Sequence, residues 1–104
     1  MKNKFHGHPR FYEILKSLAK IHSDKNHDYS TEKDPLSNLR SCEDMGIEAW
    51  KGVVVRLTDK MDRLKSYAKK GEYKVKGEGL KDTFSDMAVY AILGIILFEE
   101  NEKR

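Results

Sequence analysis

Apolar residues recur along this chain at helical spacing in three blocks. The first block is Phe11, Ile14, Leu15, Leu18 and Ile21. Pro9 precedes it, and proline suits a first helical position, where its missing N–H would have had no partner. The spacing predicts a helix over 9–22. The second block, Ile47, Trp50, Val54, Leu57, Met61, Leu64 and Ala68, steps alternately by three and four residues, a heptad seam. It predicts a helix over 47–70, stopped by Gly71 as a left-handed cap. The third block, Leu80, Phe84, Met87, Ala91, Ile95 and Phe98, keeps this rhythm and predicts a helix over 78–99. With only a turn at 74–77 between them, these two helices are expected to form an antiparallel hairpin. Residues 23–46 read as a long polar loop, with a possible short helix from Pro35 to Glu43. A connection this long in so small a domain is usually functional or disordered.

The third helix has a second apolar face. At about 100° per residue, Val89, Leu93 and Ile96 fall roughly opposite its seam. A helix apolar nearly all round must be covered on every side. The first helix can cover only part of it, and burying each large aliphatic side chain is worth roughly 1.5–3 kcal/mol. The fold expected is therefore all-α: an antiparallel helical hairpin plus an N-terminal helix, completed to a helical bundle by homo-oligomerisation, as a dimer or higher.

Length and charge narrow the picture. The 104 residues amount to one domain, 1–104. The 20 basic and 17 acidic side chains are interleaved, which speaks against bulk nucleic-acid binding. The apolar run over 87–98 is too short for a bilayer, which needs about 20 residues, so no membrane is expected. The first ten residues lack the apolar segment of a signal peptide, and the single Cys42 fits a reducing compartment, so a cytoplasmic setting is expected.

Three groups of residues carry candidate chemistry. Glu78, Asp82 and Asp86 recur every four residues and run into the Val89, Leu93 and Ile96 face. Carboxylates beside a covered apolar surface feel desolvation and mutual repulsion, and a divalent cation relieves both. The competing reading is a solvated acidic face near a helix N-terminus, where the dipole favours negative charge. On the second helix Glu48, Gly52, Val55, Asp59 and Arg63 share a side. Gly52 costs about 1 kcal/mol there relative to alanine, usually justified by close approach of a backbone or ligand. Arg56, Lys60 and Arg63 could bind phosphate oxygens, or simply pair with neighbouring acids. Lys25, Asn26, His27, Asp28 and Tyr29 can hydrogen-bond and stack on a base, or form an ordinary polar turn. His6, His8, His22, His27 and Cys42 match no zinc spacing.

Taken in order, Lys25-Asn26-His27-Asp28-Tyr29, then Arg56-Leu-Thr-Asp59-Lys60-Met-Asp-Arg63-Leu64, then Glu78-Gly-Leu-Lys-Asp82-Thr83-Phe-Ser-Asp86-Met-Ala-Val-Tyr90-Ala91, the chain resembles a family of small phage proteins, the nucleotide-modification-associated domain. That family is similar to the MazG-like all-α nucleotide pyrophosphohydrolases. The resemblance implies a magnesium-dependent hydrolase that releases pyrophosphate from a nucleoside triphosphate in the host cytoplasm. Asp59, Glu78, Asp82 and Asp86 would hold Mg2+, with Asp59 and Asp82 catalytic. Lys25, Asn26, His27, Asp28, Tyr29, Arg56, Lys60 and Arg63 would bind the nucleotide. The second helix lacks the usual Glu-x-x-Glu pair, since Lys51 stands three residues after Glu48, and the third-helix acids are spaced by four. Both departures keep a non-catalytic alternative open, a nucleotide-binding sponge that sequesters a nucleotide signal.

Overall fold

The computed structural model describes residues 5–29, 36–71, 74–75 and 78–103, with the backbone alone at 28, 29, 74, 75 and 78. Three long helices dominate: α1 (Pro9–Tyr29), α2 (Ala49–Lys70) and α3 (Leu80–Glu102). A minimal antiparallel ladder, β1 (Lys74–Val75) with β2 (Glu78–Gly79), joins α2 to α3, with Lys74 opposite Gly79. The expected turn at 74–77 is therefore partly ladder, and 76–77 lie outside the described residues. No helix among the described residues is long and apolar enough to cross a membrane.

α1 starts where Pro9 predicts, with the His8 imidazole accepting the Arg10 N–H at 3.0 Å. It does not stop at 22. The polar stretch continues the helix by a further seven residues to Tyr29, so 25–29 form its last turns rather than a loop. Residues one turn apart hold it: Lys20 pairs with Asp24 at 3.1 Å, and the Asn26 amide donates to the His22 carbonyl at 3.0 Å. A solvated helix end needs such i,i+4 contacts and no apolar stripe. The expected short helix from Pro35 proves to be two 3-10 turns, Ser37–Leu39 and Ser41–Met45, Pro35 itself lying outside the described residues. Gly46, at φ 78, ends the second turn.

α2 ends at Gly71, whose φ of 69 is left-handed and whose N–H reaches the Tyr67 carbonyl at 2.9 Å. α3 starts two residues later than expected because Glu78 and Gly79 are drawn into the ladder. The Asp82 carboxylate then accepts the Gly79 N–H at 3.1 Å, satisfying one donor that the helix start leaves unpaired.

Contacts between α2 and α3 run in opposite order along the two helices. Glu48 meets Asn101, Trp50 meets Phe98, Arg56 meets Tyr90, and Lys60 meets Asp86. The expected seams hold only in part: Trp50 and Leu57 pack against the core, but other seam positions turn outward. On α2, Val53 is 2% exposed while the neighbouring Val54 is 50% exposed. On α3, Thr83 is fully buried while Phe84 is 57% exposed. The inward column of α3 is Thr83, Asp86, Tyr90, Leu93 and Leu97, and the predicted Phe84, Ala91 and Ile95 point away. Polar pairs across the helices fit this phase, Lys60 with Asp86 and Arg56 with Tyr90, while the Thr83 hydroxyl is satisfied within its own turn of chain by the Gly79 carbonyl.

The core gathers Leu36, Leu39, Ala49, Val53, Leu93 and Leu97, with Trp50, Leu57, Val89 and Tyr90 against it. The 3-10 segment thus caps the open end of the α2–α3 pair. Arg40 ties it to Glu100. The Glu48 carboxylate, at the start of α2, accepts from the Trp50 indole at 2.9 Å and from Asn101, and pairs with Lys51 at 3.2 Å. Gly52 is explained by Cys42: a Cβ on Gly52 would stand 2.9 Å from the Cys42 sulfur. The close neighbour is a thiol, not a ligand.

Candidate functional site: a cleft between the first and third helices

A cleft of about 370 Å³ opens between α1, the first 3-10 turn and α3. Its size is in the range of small-molecule sites. α1 contributes Leu18, Ile21, His22, Lys25 and Asn26. The first 3-10 turn and the residue that precedes it contribute Leu36, Asn38 and Leu39, and α3 contributes Asp82, Ser85, Asp86, Val89, Tyr90 and Leu93. The lining therefore combines apolar side chains with carboxylates, amides, an imidazole and an ammonium. The α3 polar residues line one wall because 82, 86 and 90 are spaced one turn apart. Lys25 and Asn26 reach the cleft only because α1 continues past residue 22.

The carboxylates are each half engaged. Asp82 Oδ2 accepts the Gly79 N–H, and Asp86 Oδ2 takes the Lys60 ammonium at 3.0 Å. The Lys60 side chain is 18% exposed, and it approaches Asp86 from α2, outside the cleft lining. Beside it, the Arg56 guanidinium lies over the Tyr90 ring at 5.8 Å and donates to the Tyr90 hydroxyl at 3.3 Å. Two α2 cations thus back two α3 residues of the cleft wall.

Of the residues singled out in the sequence, Lys25, Asn26, Asp82 and Asp86 line this cleft, and Arg56 and Lys60 touch it through Tyr90 and Asp86. His27, Asp59 and Arg63 are exposed and outside its lining. The side chains of Asp28, Tyr29 and Glu78 lie outside the described residues. His22, Asn38, Ser85 and Tyr90 join the lining without belonging to any of the three sequence groups. Two of them follow the same spacing: Tyr90 continues the 78, 82, 86 series by one more turn, and His22 precedes Asn26 by one turn.

Among the described residues no group of three or more His, Cys, Asp or Glu side chains could by itself hold a metal. The donor set still suits magnesium, which commonly takes one or two carboxylates and completes its shell with water and substrate phosphates. Asp82 and Asp86 supply such a pair one turn apart on a single wall.

The family model described as nucleotide modification associated domain 1 matches residues 25–98, which span the last turns of α1, the 3-10 segment, α2 and most of α3. No curated protein and no solved structure matches the chain.

Proposed function

Since this chain belongs to the nucleotide modification associated domain 1 family, we propose that it binds a nucleoside triphosphate in the cleft between α1 and α3 and hydrolyses it to a monophosphate and pyrophosphate. The observation that carries this reading is the meeting of Lys25 and Asn26 with Asp82 and Asp86 across one cleft, although far apart in sequence. Cations for phosphate, acids for a metal and amides for a base then share one site.

Asp82 and Asp86 would hold Mg2+, which supplies Lewis-acid charge for the phosphate oxygens. The remaining work falls to the chain. Lys25 contacts phosphate oxygens from the α1 side. Lys60 and Arg56 add positive charge behind the α3 wall, and the partial burial of Lys60 strengthens its share. Asn26, Asn38 and the Tyr90 ring hydrogen-bond and stack on the base. Asp82 orients the attacking water. Asp59 joins this site only through a second copy of the chain, because it lies outside the cleft of its own.

The surface supports such a second copy. Residues one position after each inward residue, such as Val54 and Met61 on α2 and Phe84, Ala91 and Phe98 on α3, lie about 100° round from the α2–α3 contact. Because the helices run in opposite directions, both sets turn to the same side. Residues one position earlier on α3, Asp82, Ser85 and Val89, line the cleft on the other side. The exposed parts of Ile47, Val54, Met61, Phe84, Ile95 and Phe98 come to about 600 Å², against the ~800 Å² per partner of a standard interface. A homo-oligomer that buries this face completes a helical bundle and leaves the cleft open.

The half-engaged acids favour a second reading, a protein that holds its nucleotide without cleaving it. In that case Lys25, Arg56 and Lys60 do the binding and magnesium is dispensable. Pyrophosphate release measured over the common ribo- and deoxyribonucleoside triphosphates, with and without Mg2+, separates the two. Asp82→Asn, nearly isosteric and still able to cap α3, should abolish release and the rise in Tm that magnesium and nucleotide produce together. Nucleotide binding that persists in this variant at wild-type strength, independent of magnesium, refutes the hydrolase. Amides at 25–29 should gain hydrogen-exchange protection in either case, and no protection there on binding removes the α1 wall from the site.

A further inference from the structure

The charges around the cleft do not favour a free divalent cation. Among the described side chains, Asp82 and Asp86 contribute two negative charges, while Lys25 on the facing wall, Lys60 on Asp86 and Arg56 on Tyr90 contribute three positive ones. The Lys60–Asp86 contact is also not an ordinary surface pair. Its side chains are 18% and 37% exposed, and it joins two helices rather than neighbouring turns of one. In such a partly dry setting the ammonium is an effective counter-charge for Asp86, and a dication drawn to that carboxylate meets it at short range. We infer that Lys60 is an internal counter-ion that keeps the divalent cation off Asp86 until a polyphosphate arrives, so that the cleft takes nucleotide and metal together rather than metal first.

This inference rests on the nucleotide site proposed above and adds an order of loading to it. A polyphosphate removes the conflict because its oxygens accept hydrogen bonds from the ammonium and coordinate the cation at once. The excess of positive charge becomes a shortage, and metal and nucleotide each raise the other's affinity by the same factor. Lys60 is a positioning residue in this scheme: it acts through Asp86 and through the charge balance of the site. The coupling also guards against occupation of the acids by a free cation when no nucleotide is present.

The test reads Mn2+ binding by EPR on the full chain, with the metal alone and then with a mixture of nucleoside triphosphates. Wild type should bind Mn2+ alone at least tenfold more weakly than Lys60→Met or Lys60→Gln, a difference of about 1.4 kcal/mol. Adding Asp86→Asn to either variant should erase the gain, which a merely structural role for Lys60 would not produce. In wild type alone, with Mn2+ bound to free nucleotide accounted for, nucleotide should raise the protein's Mn2+ affinity by tenfold or more. The inference is overturned if folded Lys60→Met and Lys60→Gln bind Mn2+ no better than wild type. It is overturned equally if wild type takes Mn2+ as tightly without nucleotide as with it, a result that holds even if both variants fail to fold. Thermal shift with the same nucleotides, without metal, tells the two failures apart. A shift that depends on Lys25 leaves the nucleotide site standing while the loading order falls, and no shift with any nucleotide removes both.

Discussion

Ile95→Glu tests the assembly. Ile95 lies on the α3 face that turns away from both α2 and the cleft, and it is 59% exposed. A second copy that covers this face removes about 100 Å² of apolar surface at this residue, worth about 2.5 kcal/mol at ~25 cal/mol per Å². A two-fold pairing counts this twice, so about 5 kcal/mol is lost per dimer, a weakening of roughly 4,000-fold in Kd. Burying two carboxylates adds to the loss. A dimer with a micromolar Kd becomes a monomer at any practical concentration. Within one chain Ile95 belongs to no buried cluster, so helicity by circular dichroism and the denaturant midpoint measured on the monomer should stay near wild type. Sedimentation velocity at tens of micromolar reads the outcome. A wild-type protein that is already monomeric there, or a variant that sediments as wild type does, refutes the reasoning.

Leu93→Ala should behave in the opposite way. Leu93 packs into the chain's own core, so the substitution should cost about 2–5 kcal/mol of folding stability in denaturant titration, whatever the oligomeric state. Gly52→Ala should destabilise despite the better helix propensity of alanine, since the new Cβ meets the Cys42 sulfur. Combining it with Cys42→Ala should restore most of the loss in a double-mutant cycle. Glu48 predicts a pH dependence: the Trp50 indole, then the Lys51 ammonium, hold its carboxyl below the ordinary carboxylate range, with Asn101 adding a smaller effect. A depressed folded pKa gives stability that is present above the unfolded value and lost as pH falls through the folded one. Wild type should therefore lose stability between about pH 5 and 3 more steeply than Glu48→Gln, and parallel curves would contradict the assignment.

The periodicity exposed the long helices and the Gly71 stop because both are local signals. It places Trp50 and Leu57 inward as found, but Val54, Met61, Phe84 and Ile95 turn outward, for a physical reason. A column rule picks the most apolar residues, Val54 and Met61 or Phe84 and Ile95, whereas the inward columns carry Lys60, Thr83, Asp86 and Tyr90. These polar residues are acceptable inside because each finds a partner, and for Lys60, Asp86 and Tyr90 the partner is brought by tertiary contact rather than by sequence distance. The same limit applied to the end of α1, where 25–29 read as a loop by composition alone. The cleft was legible in part: the acids and the Lys25, Asn26 segment were visible as separate signals. That Asn38 and Tyr90 join them depends on how the 3-10 segment folds back onto α3.

The position of the core bears on how the chain folds. Leu36, Leu39, Ala49 and Val53 precede or open α2, while Leu93 and Leu97 lie in the last half of α3. The main apolar contacts therefore sit at the end of the helix pair farthest from the connecting ladder, and the long segment between Val53 and Leu93 must be closed before they form. Near the ladder the early contacts between the helices include the Lys60–Asp86 pair, which offsets only part of that closure entropy. Folding by zipping from the turn thus gains most of its reward late, when the final turns of α3 dock. Those turns also bring Glu100 to Arg40 and Asn101 to Glu48. The tail of α3 works as a latch: a chain cut after Gly94 would lose Leu97 and both polar ties in one step, and the 3-10 wall of the cleft would come free with them.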